Sequence, residues 1–299
     1  MPAEPTPNPT IDGSAVQHLL GRLVRAEAAP WLHQEVARRM AERLAIIREA
    51  PADWVDWWGG LGGGAEAVSA VLPKAVRHVA EPTAEWVAFS RRQARGPWWS
   101  RLGRAGAECR VRLVQDGLPE PVQLVWANMM LHSSADPAST FARWHSALRV
   151  GGFLMFSTLG PDSLKELREV YAEQGWPPPH ASFVDMHDIG DQLVHSGFAD
   201  PVMDQERLVL TWSSPQTLLA ELRALGANLQ PGRMQGLRTP RWREALCRSL
   251  ASRADGQGRI SMTFELIYGH AFKAPPKPGR GEPVTVSLDS LRASLRKAR

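Results

Sequence analysis

The sequence predicts an α/β fold, a parallel sheet with crossover helices on both faces, on three observations. From Asp53 to His270 short apolar runs alternate with helical patterns, the signature of strands joined by crossover helices. A glycine-rich turn, DWVDWWGGLGGG, lies between the first strand run and the next helix, where a nucleotide-binding fold turns tightly. The 299 residues are 43% hydrophobic and 22% charged, enough for a large core and far from the composition of disordered chains.

Taken in order, the first nine residues hold four prolines, so the chain is expected to stay extended and disordered to about Ser14. After Pro30, apolar Leu32, Val36, Met40, Leu44 and Ile47 recur at helical spacing and define one face of an amphipathic helix. The strands read as WVDWW, AVRHVAE, CRVRLV, VQLVWAN and FLMFST; the helices between them read as AEAVSAVL, AEWVAFSRR and a segment near Asp136 to Leu148. Beyond Thr158 the helices carry explicit caps. Pro161, Asp162 and Ser163 open LKELREVYAE, Asp185 opens a helix ended by Gly197, and Ser214 with Pro215 opens one ended by Gly226. RLVLTW and MTFELIYGHAF read as two late strands at antiparallel edges, and KAPPKPGRGEP as a linker before a basic tail. The division is a disordered 1–14, a domain over 15–273 and a tail over 274–299.

The net charge of +4 is concentrated from Lys273 to Arg299, where seven basic residues face Glu282 and Asp289 and leave the rest of the chain at −1. A basic nucleic-acid-binding surface is therefore not indicated. Cys109 and Cys247 stand far apart with no metal spacing, which excludes a disulfide framework and points to a reducing compartment. With no signal-like N-terminus and no apolar run long enough to span a membrane, a cytoplasmic protein is expected. His132, His180 and His187 are isolated and read as packing or surface residues; Trp57, Trp58, Trp98 and Trp99 read as core and lid.

Asp56, Gly60 and Gly62 fall in the glycine-rich turn, and Glu81 ends the next strand run about 20 residues on, where an acid meets ribose hydroxyls in nucleotide-binding folds. A plain flexible loop and a surface glutamate are the alternatives. Asp116 reads either as an acid beside a bound nucleobase or as half of an Asp-Gly turn.

These residues resemble the opening of the Rossmann-like S-adenosylmethionine-dependent methyltransferases, with Trp58 at the position of the first glycine. The stretches LVWANMMLH, ARWHSALRVGGFLMFSTLGPDSLKELRE, FVDMHDIGDQLVHSGFADPVMD and GRISMTFELIYGHAFK resemble the methyltransferases of early biotin synthesis that esterify malonyl-acyl carrier protein. Ala26-Glu27 stands where those relatives carry an aromatic-acid pair before Leu32-His33. The resemblance implies seven strands, a helical lid over about 160–260, S-adenosylmethionine as cofactor, malonyl-acyl carrier protein as partner and a monomer without nucleic-acid or membrane binding. It implies that Asp56, Gly60, Gly62, Glu81 and Asp116 hold the cofactor and that Asn128 borders the methyl group. Arg233 is the first candidate to pair the malonyl carboxylate, a solvent-exposed loop arginine being the alternative, and Arg143 is the next. The C-terminal segments also resemble mitochondrial complex I assembly factors with arginine hydroxylation chemistry, a catalytically diverged alternative.

Overall fold

A computed structural model describes residues 10–47, 49–95, 109–234, 236 and 238–275. The expectations for residues 1–9, for Trp98 and Trp99, and for the tail beyond 275 lie outside these. Two helices, α1 (Gly13–Val24) and α2 (Trp31–Leu44), precede the sheet. Then follow β1 (Asp53–Trp57), the single turn α3 (Gly59–Gly62), α4 (Ala65–Val71), β2 (Val76–Glu81), α5 (Ala84–Arg95) and β3 (Cys109–Leu113). The second half comprises β4 (Val122–Ala127), α6 (Pro137–Ala147), β5 (Leu148–Leu159), α7 (Lys165–Glu173), α8 (Met186–His195), β6 (Ala199–Trp212), α9 (Pro215–Leu225), α10 (Pro240–Ala251) and β7 (Ile260–Phe272).

The seven strands lie in the order β3-β2-β1-β4-β5-β7-β6. All are parallel except β7, which runs antiparallel to β5 and β6, with Phe156 opposite Gly269 and Leu208 opposite Phe264. Side chains alternate between the two faces, so one strand feeds two cores. Val125 and Ala127 of β4 pack with Phe141 and Trp144 of α6, while Leu124 and Trp126 pack with Val36 and Met40 of α2. The α2 face is the one its spacing predicts, with Leu32, Val36, Met40 and Leu44 all buried.

Four details correct the sequence reading. MTFELIYGHAF is an interior strand, because the long β6 adds to its far side and takes the edge. The first helix begins at Gly13, where Asp12 accepts from the Ser14 and Ala15 amides, so the N-terminal boundary falls just before Ser14. Ser163 does not cap α7; its hydroxyl bonds the Glu265 backbone of β7, and the helix starts after Leu164, which holds φ +55°. Helix α10, which the patterns above leave unmarked, opens on Thr239 with Pro240 at its first position. Among the described residues no helix is long and apolar enough to cross a membrane.

Candidate active site

Strand order reverses between β1 and β4, and in open α/β sheets the crevice beyond the carboxyl ends of such a pair is where ligands collect. The glycine-rich turn leaves β1 there, and Asn128 leaves β4. Two non-glycine residues with left-handed backbones stand just past strand ends: Trp58 after β1 (φ +55°) and Met129 after β4 (φ +52°). Such conformations cost of order 1–3 kcal/mol each and collect at functional sites. Trp58 thus keeps a backbone shape that glycine adopts freely. Its carbonyl accepts from the Leu61 and Gly62 amides, closing the turn.

Gly60 and Gly62 are required by close approach. A Cβ at Gly60 would meet Trp86 Cε3 at 2.7 Å, and one at Gly62 would meet the Asn128 carbonyl oxygen at 3.1 Å. Trp58, Leu61, Trp86 and Phe89 join Leu19, Leu20 and Leu23 of α1 in one apolar cluster, so α1 and α5 roof the turn.

Under that roof lie two carboxylates. Glu81 Oε1 accepts from the Gly60 amide at 2.8 Å and from the Ser90 hydroxyl at 2.5 Å, while Oε2 is buried without a partner. Burial pushes the Glu81 carboxyl up to about 7, against the lowering effect of those bonds. Asp56 Oδ2 pairs with the Arg77 guanidinium at 2.6 Å, and Oδ1 is likewise buried without a partner. Burial raises its pKa and Arg77 opposes the rise.

Asn128 is where the sequence places it, but its amide is already committed. Nδ2 donates to the carbonyls of His33 (2.7 Å) and Gly62 (2.6 Å), and Oδ1 accepts from the Ser157 hydroxyl at 2.7 Å. It ties α2, the glycine turn and β5 together, so it holds the site's frame. The resemblance has it border the methyl group; the bonds on both of its amide atoms give its side chain a positioning role.

Beside it opens a cavity of about 790 Å³, walled by the sheet ends and by α1, α2, α7, α9 and α10. His33, His132 and His180 line it, a meeting that no sequence spacing signals. The Leu61 carbonyl can only accept, so His33 Nδ1 carries the proton and donates to it at 3.0 Å. Burial holds His33 down at about 4, and burial with the neighbouring His33 holds His132 at about 3. Both imidazoles are neutral at pH 7. Arg22, Arg223, Arg238 and Arg243 also line the cavity, and among the described residues no aspartate or glutamate does. Arg238 lies 4.2 Å over the Trp242 ring and donates to the Tyr171 hydroxyl at 3.2 Å.

Arg233 stands apart from this cavity. Its guanidinium pairs with Asp12 at 2.6 Å and donates to the Gln230 carbonyl, tying the loop after α9 to the start of α1. An arginine held this way is not free for a carboxylate ligand, which corrects the first assignment. Arg143 donates to the Val114 carbonyl and lines a separate cavity of about 380 Å³ beside α6. Asp116 is exposed in a helical turn followed by Gly117 at φ +64°, the geometry of the Asp-Gly alternative. Among the described residues no cluster of His, Cys, Asp or Glu could hold a metal ion.

No family model matches the chain. Solved structures with the same architecture include one of a methyltransferase candidate from Bacillus halodurans C-125 (TM-score 0.52, 15% identity, covering 80% of this chain and 99% of that one) and the YcgJ protein from Bacillus subtilis (TM-score 0.52, 13% identity, 80% and 99%). The fold is that of the Rossmann-like methyltransferases. A relative from Gallionella capsiferriformans, named malonyl-[acyl-carrier protein] O-methyltransferase, is 36% identical over 276 residues, covering 90% of this chain and 94% of its own. One of the same name from Laribacter hongkongensis is 38% identical over 262 residues, with 85% and 86% covered. The chain belongs to the malonyl-[acyl-carrier protein] O-methyltransferase family.

Proposed function

We propose that this protein transfers a methyl group from S-adenosylmethionine to the free carboxylate of a malonyl group borne by acyl carrier protein, an early step of biotin synthesis carried out by a cytoplasmic monomer. The observation that carries this reading is the large cavity beyond the carboxyl ends of β4 and β5, which Arg238 lines and no described aspartate or glutamate does, a lining suited to an anionic acyl chain.

The cofactor fits the residues on one count that the fold itself supplies. Glu81 Oε2 and Asp56 Oδ1 are buried acceptors lacking donors, and a ribose diol and an ammonium group are donors of the kind they lack. Glu81 would hold the ribose and Asp56 the amino group, with the backbone at Gly60 and Gly62 beneath. Glu81 has no exposed surface, so entry requires the residues around it to shift.

When bound, S-adenosylmethionine supplies a methyl group already activated on a sulfonium. The rest falls to this chain. A malonyl carboxylate is ionised at pH 7, so no side chain has to remove a proton. Arg238, exposed at the mouth with its guanidinium steadied by Trp242 and Tyr171, takes the place first given to Arg233 and draws the carboxylate in. Deeper in, His33 and His132 are neutral, so they line the chamber without pairing an anion whose lone pair must react. The apolar walls, Leu159, Leu164, Leu167 and Phe264 among them, keep water from the reacting oxygen.

The test is complementation. The gene should restore growth without biotin to a host lacking its own malonyl-carrier-protein methyltransferase; soluble protein that fails to do so, in a host rescued by a relative, contradicts the reading.

A further inference from the structure

Several arginines away from the cavity are committed to carboxylates. Arg39, Arg43, Arg207 and Arg253 each hold a carboxylate within 4 Å. Arg223 near the end of α9 and Arg243 in the first turn of α10 are exposed and form no ion pair among the described residues. Glu221 and Glu244 lie on the same two helices but do not line the cavity.

Their setting is fixed from beneath. Arg22 of α1 donates from Nη1 to the Arg223 carbonyl at 2.5 Å and from Nη2 to the Gly226 carbonyl at 2.6 Å, capping the last turn of α9 with a third guanidinium. Burial and the neighbouring Arg223 charge both lower the Arg22 pKa, the cost of crowding cations at one rim. Arg223 in the last turn of α9 suits that helix's dipole, but Arg243 in the first turn of α10 does not, so helix stability alone does not account for the crowded charge. Its physical use is attraction of an anionic partner, which raises the association rate and sets orientation.

We propose that Arg223 and Arg243 form a docking collar for an acidic face of the carrier protein, seating it over the cavity mouth so that its acyl arm reaches inward. This rests on the substrate reading above and adds to it the face of α9 and α10 on which the partner sits. A long acyl arm on a small protein needs its carrier held at the rim, and these two guanidiniums are the unpaired charges that line the cavity from exposed helix positions.

The experiment combines binding with kinetics. Fluorescence anisotropy measures the affinity of labelled, unacylated carrier protein for the wild type, for Arg223→Glu/Arg243→Glu and for Arg223→Lys/Arg243→Lys. The Glu pair should weaken binding at least about tenfold and abolish its salt dependence, whereas the Lys pair should retain most of it because docking to a surface needs charge more than a fork. In parallel, the KM for malonyl-carrier protein should rise in the Glu pair, while methylation of the malonyl thioesters of N-acetylcysteamine and coenzyme A should change by less than about twofold, since neither carries a protein surface. Unchanged carrier affinity in the Glu pair would overturn the proposal. Equal loss on all three substrates would overturn it in favour of a structural role at the rim, and loss shared only by the carrier and coenzyme A would replace the protein face with a phosphate. Carrier binding by a wild type that methylates none of the three would sink the substrate reading and leave the collar standing.

Discussion

Trp58 buries an indole on a left-handed backbone, two facts that pull stability in opposite directions. Losing a buried aromatic side chain costs about 3–5 kcal/mol, and relieving the left-handed strain returns about 1 kcal/mol. Trp58→Gly is therefore expected to destabilise by a few kcal/mol in urea titration. Trp58→Ala, which loses the same indole but keeps a Cβ, should be about 1 kcal/mol worse than the glycine; equal stabilities would show that the strain is absent. Glu81 makes a second prediction at this scale. Its folded pKa is raised to about 7, so the folded state holds the proton more tightly than the unfolded chain. That contribution is fully present below the unfolded value and is lost as pH rises through about 7. His33 and His132, with lowered values, act in the opposite sense and lose stability as pH falls below the ordinary histidine range. The difference between wild type and Glu81→Gln isolates the carboxyl: it should favour the wild type by about 3 kcal/mol more at pH 4.5 than at pH 7.5. A difference that does not vary with pH would contradict the buried, unpartnered Oε2.

At the scale of elements, Asn128 joins three segments distant in sequence, and its loss leaves the carbonyls of His33 and Gly62 and the Ser157 hydroxyl without that partner. With about 1–3 kcal/mol for each stranded buried group, Asn128→Ala should cost several kcal/mol. Hydrogen exchange should quicken at α3 and at the start of α2; loss of stability without local exchange would place the effect elsewhere. The cap of α10 is a milder case. Thr239 accepts from the Trp242 amide at 3.2 Å, so Thr239→Ala should cost about 1 kcal/mol. The elements themselves were largely legible: alternating apolar runs mark the strands, and spacing of four marks the buried face of α2. What misled was local chemistry read without its tertiary partner. Ser163 looks like a cap, but the Glu265 backbone is a better partner for its hydroxyl once β7 lies alongside. MTFELIYGHAF reads as an edge because nothing local reports that fourteen residues of β6 cover it.

For the whole molecule, the half of the site carried by one contiguous motif could be read from the chain: Asp56, Gly60, Gly62 and Glu81 meet beneath one roof because a strand, a tight turn and the next strand can hardly be arranged otherwise. The cavity could not. Its histidines come from α2, from the segment after β4 and from the loop before α8, and its arginines from α1, α9, α10 and the segment before α10, so only the closed fold shows that they share a wall. Arg233 is the first candidate in the sequence because it follows a helix that resembles the family lid and a guanidinium can fork onto a carboxylate, and the sequence cannot show that Asp12, more than 200 residues away, holds it. In the proposed reaction this cavity holds the malonyl carboxylate while Asp56 and Glu81 hold the methyl donor. Purified protein incubated with S-adenosylmethionine and malonyl-carrier protein, followed by intact-protein mass spectrometry, tests it most directly. A mass increase of one methylene on the acyl arm, abolished when the malonyl group is replaced by acetyl, is the predicted result; an unmodified malonyl-carrier protein, with a relative active under the same conditions, would contradict it.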